Sequence, residues 1–235
     1  SSNGDGSITS SVSANTSAGF SIVSYTGTGS SLTVGHGLGV APDAMIIKNR
    51  DRAGTNWAVY HSGLNFPTRD LIYLDLNESD NNHDPTFDNT APTSSVFTVG
   101  NYSPVNANNE KFIAYCFNSV AGYSEFGKYT GNGSSNGTFV FTGFLPAFLI
   151  IKRTDSADYW LMLDNKRRTF NQNGPSSSLY PNETTAENTF GNGTGVDFLS
   201  NGFKVRDDVA SVGASGGTYI YFAFAESPFK YSRAK

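Results

Sequence analysis

Apolar residues recur along this chain in short bursts, each closed by Gly, Asn, Ser or Thr. "AMIIK" and "FLIIK" are continuous apolar runs, the pattern of a strand covered on both faces. "FIAYCF" and "YIYFAF" alternate large with small residues, which predicts central strands. Across the first half the pattern predicts strands at Phe20–Tyr25, Ser31–Gly35, Ala44–Lys48, Trp57–His61, Ile72–Leu76, Val96–Val99 and Phe112–Phe117. No long segment carries a 3.6-residue period. Short strands separated by Gly/Asn/Ser turns predict an all-β chain built as a β-sandwich or jelly roll.

The pattern also repeats. "GFSIVSYTGTGS" from Gly19 returns as "GYSEFGKYTGNGS" from Gly122, and Tyr25 aligns with Tyr129 at an offset of 104. Pro42 falls on Pro146 at the same offset, and "MIIKNR" falls on "LIIKR". Trp57 meets Trp160 at 103, "VFTVGN" meets "GFKVRD" at 106, and "KFIAYCFNS" meets "TYIYFAFAES" at 107. The expectation is two tandem, duplicated jelly-roll-like sandwich domains of about a hundred residues each. Residues 1–18 would be a linker or leading edge strand, 19–121 the first copy, and 122–235 the second copy with a short tail.

Composition narrows the function. Of 235 residues, 14% are aromatic and only 15% charged, well under the usual quarter. A net charge of −4 argues against nucleic acid as a partner. No run of eighteen apolar residues occurs, so no membrane insertion is expected. The start, "SSNGDGSITS", lacks the charged and apolar regions of a signal peptide and reads as a cut inside a longer polypeptide. Cys116 has no partner for a disulfide and is expected to be a small buried hydrophobe.

Candidate chemistry is sparse. "NWAVYHS" (Asn56–Ser62) packs Trp57, Tyr60 and His61 together, but its counterpart "YWLMLDN" keeps only the tryptophan. The shared Trp57 and Trp160 are therefore expected to anchor the core, and His61 to be part of a strand. "VGHGLGVAP" places His36 between glycines without matching a dinucleotide fingerprint. The second copy has "TGFLPAF", with Phe144 near the matching position, so a tight turn is expected. "DLNESDNNHDPTFDN" gathers Asp75, Glu78, Asp80, His83, Asp84 and Asp88. Its spacing matches no EF-hand, so Asp80, Asp84 and Asp88 are weak calcium candidates and a solvated loop is the simpler reading. "DNKRRTFN" collects Lys166, Arg167 and Arg168, a candidate anion-binding loop or a solvated turn. No nucleophile elbow, metalloprotease or phosphate-loop motif is present, so neither a catalytic residue nor a cofactor is expected.

"SITSSVSANTSAGFSIVSYTGTG", "TVGHGLGVAP", "IIKNR…NWAVYHS", "DFLSNGFKVR" and "TYIYFAFAESPFKYS" together resemble an uncharacterised repeat domain of predicted tail-fibre and other virion proteins of marine tailed bacteriophages. That resemblance implies a structural or adhesion module exposed on a virion. Its partners would be other virion proteins, copies of itself (fibres are usually trimers), and a host-surface glycan or protein. Sugar recognition combines an aromatic platform with polar hydrogen bonds, so Tyr60, Tyr73, Tyr102, Tyr159 and Tyr180 are the exposed aromatics expected to take part. A purely architectural virion protein and a polysaccharide depolymerase with two close carboxylates are the alternatives.

Overall fold

The computed structural model describes residues 1–65, 71–80, 85–167, 176–184, 186–190 and 195–227. It is an all-β sandwich fold made of antiparallel sheets. The chain forms two compact units: Ser1–Leu74 with Asp80–Ser119, and Asp75–Ser79 with Val120–Lys235.

The first unit holds β1 (Ser2–Asn3), β2 (Ser10–Asn15), β3 (Phe20–Thr26), β4 (Leu32–Gly35), β5 (Ala44–Asn49), β6 (Ala58–His61), β7 (Ile72–Tyr73), β8 (Val96–Val99) and β9 (Lys111–Phe117). A 3-10 turn (Thr16–Ala18) follows β2, and one helical turn, α1 (Ser103–Asn106), precedes β9. Seven strands pair in the order β1-β2-β3-β9-β5-β6-β7, and β4 pairs with β8 in a second sheet. Alternation does the sorting: Ser21, Val23 and Tyr25 of β3 are buried, while Phe20, Ile22 and Ser24 between them are half-buried. Tyr25 meets Phe97 of β8 edge-on at 6.1 Å, which joins the two sheets across the core.

The second unit holds β10 (Ser124–Thr130), β11 (Phe139–Phe141), β12 (Pro146–Arg153), β13 (Trp160–Asp164), β14 (Ser176–Ser178), β15 (Asn188–Phe190), β16 (Val196–Leu199), β17 (Gly202–Val205) and β18 (Thr218–Ala225). One sheet runs β10-β18-β12-β13, a second β11-β17-β16, and β14 pairs with β15. Tyr129, Leu149, Ile151, Leu161 and Tyr219 from the first sheet close on Val140, Val196, Phe198 and Phe203 from the second in one core cluster.

The expected strands of the first half are all present, with ends shifted by a residue or two; the largest change is at β7, which stops at Tyr73. "KFIAYCF" and "TYIYFAFA" take inner positions as β9 and β18. Ladder registers in the two units also coincide. Tyr25 faces Phe112 and Tyr129 faces Tyr219. Ile46 faces Tyr115 and Ile150 faces Phe222. Ile46 faces Val59 and Ile150 faces Met162. Each pair reproduces the sequence offsets without a slip, although a one-residue slip would reverse every face.

Long-range hydrogen bonds repeat as well. The Tyr25 hydroxyl donates to the Val105 carbonyl at 2.6 Å, and the Tyr129 hydroxyl to that of Val212 at 2.9 Å. Gly27 N–H donates to Glu110 O and Gly131 N–H to Gly217 O. The Asp51 carboxylate accepts the Lys111 amide, and Asp155 accepts the Thr218 amide. Gly37 and Gly143 both sit at positive φ (71° and 79°), where a side chain would be strained.

The leader separates the units. β1 and β2 extend the first unit's sheet beyond β3, and Ile8 N–H donates to Thr33 O along the outer edge of β4. Ile8 and Val12 are buried there. Among the described residues, β10 and β11 are edge strands with no such neighbour. Gly35 lies so close to Asn3 that an added Cβ would overlap its side chain. The corresponding position on β11 is Phe141, which is 67% exposed.

Candidate functional site

The five tyrosines named from sequence sort into three environments. Tyr60 is buried against Phe87, ring centroids 5.8 Å apart, and burial pushes its phenol up to about 12. Tyr73 is buried too, and its hydroxyl meets that of half-buried Tyr102 at 2.6 Å. The expectation that Tyr60 and Tyr73 are exposed is therefore wrong: β6 and β7 turn both rings into the packed side of the first unit. Tyr159 and Tyr180 differ. Tyr159 is 43% exposed, and its ring stands edge-on to half-buried Tyr180 at 5.3 Å.

Local chain chemistry builds that pair. Asp158 Oδ1 accepts the Tyr159 amide and fixes the turn into β13. In the first unit, Leu74 N–H donates to Trp57 O beside Tyr73. The matching residue after Tyr180 is Pro181, which has no N–H to donate. Asn182 ties the segment instead: its Oδ1 accepts the Trp160 amide at 3.0 Å. The Asn182 Nδ2 is buried and has no hydrogen-bond partner. Asn182 was not singled out from sequence; the Pro after Tyr180 was the available signal that a side chain must replace a backbone bond.

His36 and His61 serve turns. His61 Nδ1 accepts the Gly63 amide at 2.9 Å, and Asp164 Oδ1 accepts the Lys166 amide at 2.9 Å in the matching turn. His36 Nδ1 accepts the Leu38 amide at 3.2 Å, so Nε2 carries the proton toward Thr93 O, 3.1 Å away. Burial lowers the His36 pKa, and the bond to Thr93 and the charge of Asp5 oppose it. The ladder matches His36 with Thr142, not Phe144: His36 N–H donates to Ser95 O and Thr142 N–H to Asn201 O. Phe144 instead matches Leu38, and both are buried. Cys116 is fully buried, and that burial pushes its thiol up to about 12.

The tryptophans part company. Trp160 is 1% exposed, but it pairs with Lys152 on the face opposite the core cluster. Trp57 lies just before β6, is half-buried, and takes the Lys48 ammonium over its ring at 5.4 Å. Trp57 is thus not the core anchor expected. Lys152 is fully buried, and its ammonium donates to Asp158 O at 2.7 Å and Asn77 O at 3.3 Å. Lys48 donates to Thr55 O, the matching position.

The charged loops are largely engaged. Asp75 and Glu78 lie in the second unit, whereas Asp80 is buried in the first. Asp88 is exposed and accepts the Ser31 hydroxyl at 2.6 Å. His83 and Asp84 lie outside the described residues, as does Arg168. Among the described residues, no three His, Cys, Asp or Glu side chains gather as a metal site. Arg167 pairs with Asp164 at 2.7 Å and Glu187 at 3.2 Å, and Lys166 stands 3.7 Å from Glu226. Carboxylates therefore already hold both described cations of the supposed anion loop. Burial raises the Asp164 pKa, but the Arg167 and Lys166 amides and the Arg167 guanidinium outweigh it and lower the value.

Residues 1–228 match a family described as a domain of unknown function, DUF7483, and the chain belongs to that family. Neither the curated proteins nor the solved structures provide a match.

Proposed function

We propose that the chain is a non-catalytic binding module of a bacteriophage virion, part of a tail fibre or similar appendage, a reading that rests on the resemblance of its quoted sequence phrases. In this reading it contacts host-surface glycan through Tyr159 and Tyr180. The observation that carries the reading is the exposed Tyr159 ring set edge-on to Tyr180. Paired aromatic rings, one of them exposed, suit the apolar face of a sugar ring. Binding rather than catalysis is favoured because His36, His61 and Cys116 are engaged or buried as described. We further propose that the two units are duplicated copies of one scaffold, supported by coincident registers and repeated hydrogen bonds.

Binding of the intact chain to an array of bacterial surface glycans, with Tyr159→Ala beside it, tests the proposal. Selective binding lost in the variant is the expected result; a blank array for the intact chain counts against a glycan ligand. A second, architectural reading has its own support. Phe139 and Phe141 are 45% and 67% exposed on edge strand β11, surface that would suit another virion protein or a second copy. A chain that self-associates, and becomes monomeric on Phe141→Ser, would favour that reading.

A further inference from the structure

A groove of about 400 Å³ lies in the first unit. It is within the roughly 300–1,000 Å³ range of small-ligand sites. Ser2, Thr9, Ser11, Ser24, Thr26 and Lys111 line it, brought together from β1, the approach to β2, β2 itself, β3 and β9. Ser10 and Tyr25 also contribute, but their hydroxyls are engaged elsewhere, with Gly35 O and Val105 O. Among the described residues, the hydroxyls of the other five make no protein hydrogen bond. Lys111 uses its backbone amide to hold Asp51, while its exposed ammonium has no carboxylate partner among the described residues. No Asp or Glu lines the groove.

We infer that this groove binds an acidic saccharide, with Lys111 pairing to its carboxylate or sulfate and the serine and threonine hydroxyls bonding to its ring hydroxyls. Two features choose this class. Hydroxyls both donate and accept, as sugar hydroxyls do, whereas a bare oxyanion needs donors alone. The lining also crosses three strand spacings, about 14 Å, more than an inorganic anion fills. The single free ammonium supplies the charge-assisted bond that fixes the ligand's orientation.

The leader creates the groove, and the described residues of the second unit offer no counterpart to it. β10 has no β1 or β2 beside it, Lys111 is matched by Thr218, and Ser24 by Lys128. The inference concerns a different unit from the Tyr159–Tyr180 reading and stands without it.

Calorimetric titration of the full chain tests it, using trigalacturonate, a sulfated galactan trisaccharide, neutral galactotriose and sodium sulfate as probes. At least one acidic trisaccharide should bind at least tenfold more tightly than galactotriose and than sulfate, and more weakly as salt rises. Lys111→Met should weaken it tenfold or more, Lys111→Arg should retain it, and Tyr159→Ala should leave it unchanged. Lys111 is exposed at the start of β9, so its variants should keep the far-ultraviolet circular dichroism of the parent. Failure of both acidic probes to bind, equal binding of galactotriose or of sulfate, or indifference to Lys111→Met would each overturn the inference.

Discussion

Lys48 and Lys152 end the same strand motif in the two units, and each ammonium bonds to a carbonyl two residues before a tryptophan. Their surroundings differ. Lys48 lies half-buried over Trp57, whereas Lys152 is fully buried and draws a second carbonyl from Asn77. The bonds that coincide are the strand ladders and a few side-chain bonds to the backbone, such as those of Tyr25 and Tyr129. Most side chains around them differ between the two units. A register slip would be costly everywhere, whereas a surface side chain can change at little cost. One scaffold can therefore carry a hydroxyl-lined groove in one unit and a tyrosine pair in the other.

The largest expected effect separates the tryptophans. Trp160→Ala should cost about 3–5 kcal/mol, the usual loss for a large buried aromatic. Trp57→Ala should cost only about 1 kcal/mol, mainly its cation contact and partial burial. Urea unfolding of both variants checks this, and equal losses would break the contrast. Next comes the leader. Ile8→Ala should cost about 2–3 kcal/mol, because it empties a buried position along β4. Hydrogen exchange should show weakened protection at β4 and β8 and none at β11 and β17.

The shared tyrosine bond should give matching losses. Tyr25→Phe and Tyr129→Phe each leave a carbonyl without its donor, at about 1–3 kcal/mol. A large difference between the two would weaken the claim of a common scaffold. The smallest effect is one of pH. The native His36 pKa is lowered, so as pH falls below about 6.5 the unfolded chain takes up the proton first. The stabilising contribution of neutral His36 is thus complete above that pH and is lost as pH falls toward the lowered native value. Exchange protection around Gly37 should drop between pH 7.5 and pH 5, and His36→Asn should flatten the drop.

Strand positions were legible because period-2 alternation and the repeat offsets are local signals, as at "FIAYCF" and "YIYFAF". Side-chain exposure was not. Tyr73 is buried because its hydroxyl finds Tyr102, 29 positions along the chain, which no local pattern encodes. The leader is read locally as a polar tract, yet Ile8 reaches a strand edge 26 residues away. Asp75–Ser79 sits in the first sequence repeat but belongs to the second unit, so no boundary drawn along the sequence could assign it correctly. Tyr159 and Tyr180 were named from sequence, but only folding showed that these two of the five meet with one ring left open.

The central claim is that matched positions in the two units bind differently. Amide chemical-shift mapping of the full chain, titrated with the glycan selected on the array, reads it directly. Amide shifts at Asp158, Tyr159, Trp160, Tyr180 and Asn182, with none at the matching Thr55, Asn56, Trp57, Tyr73 and Leu74, are the predicted result. Equal shifts in both sets, or shifts in neither, would contradict it.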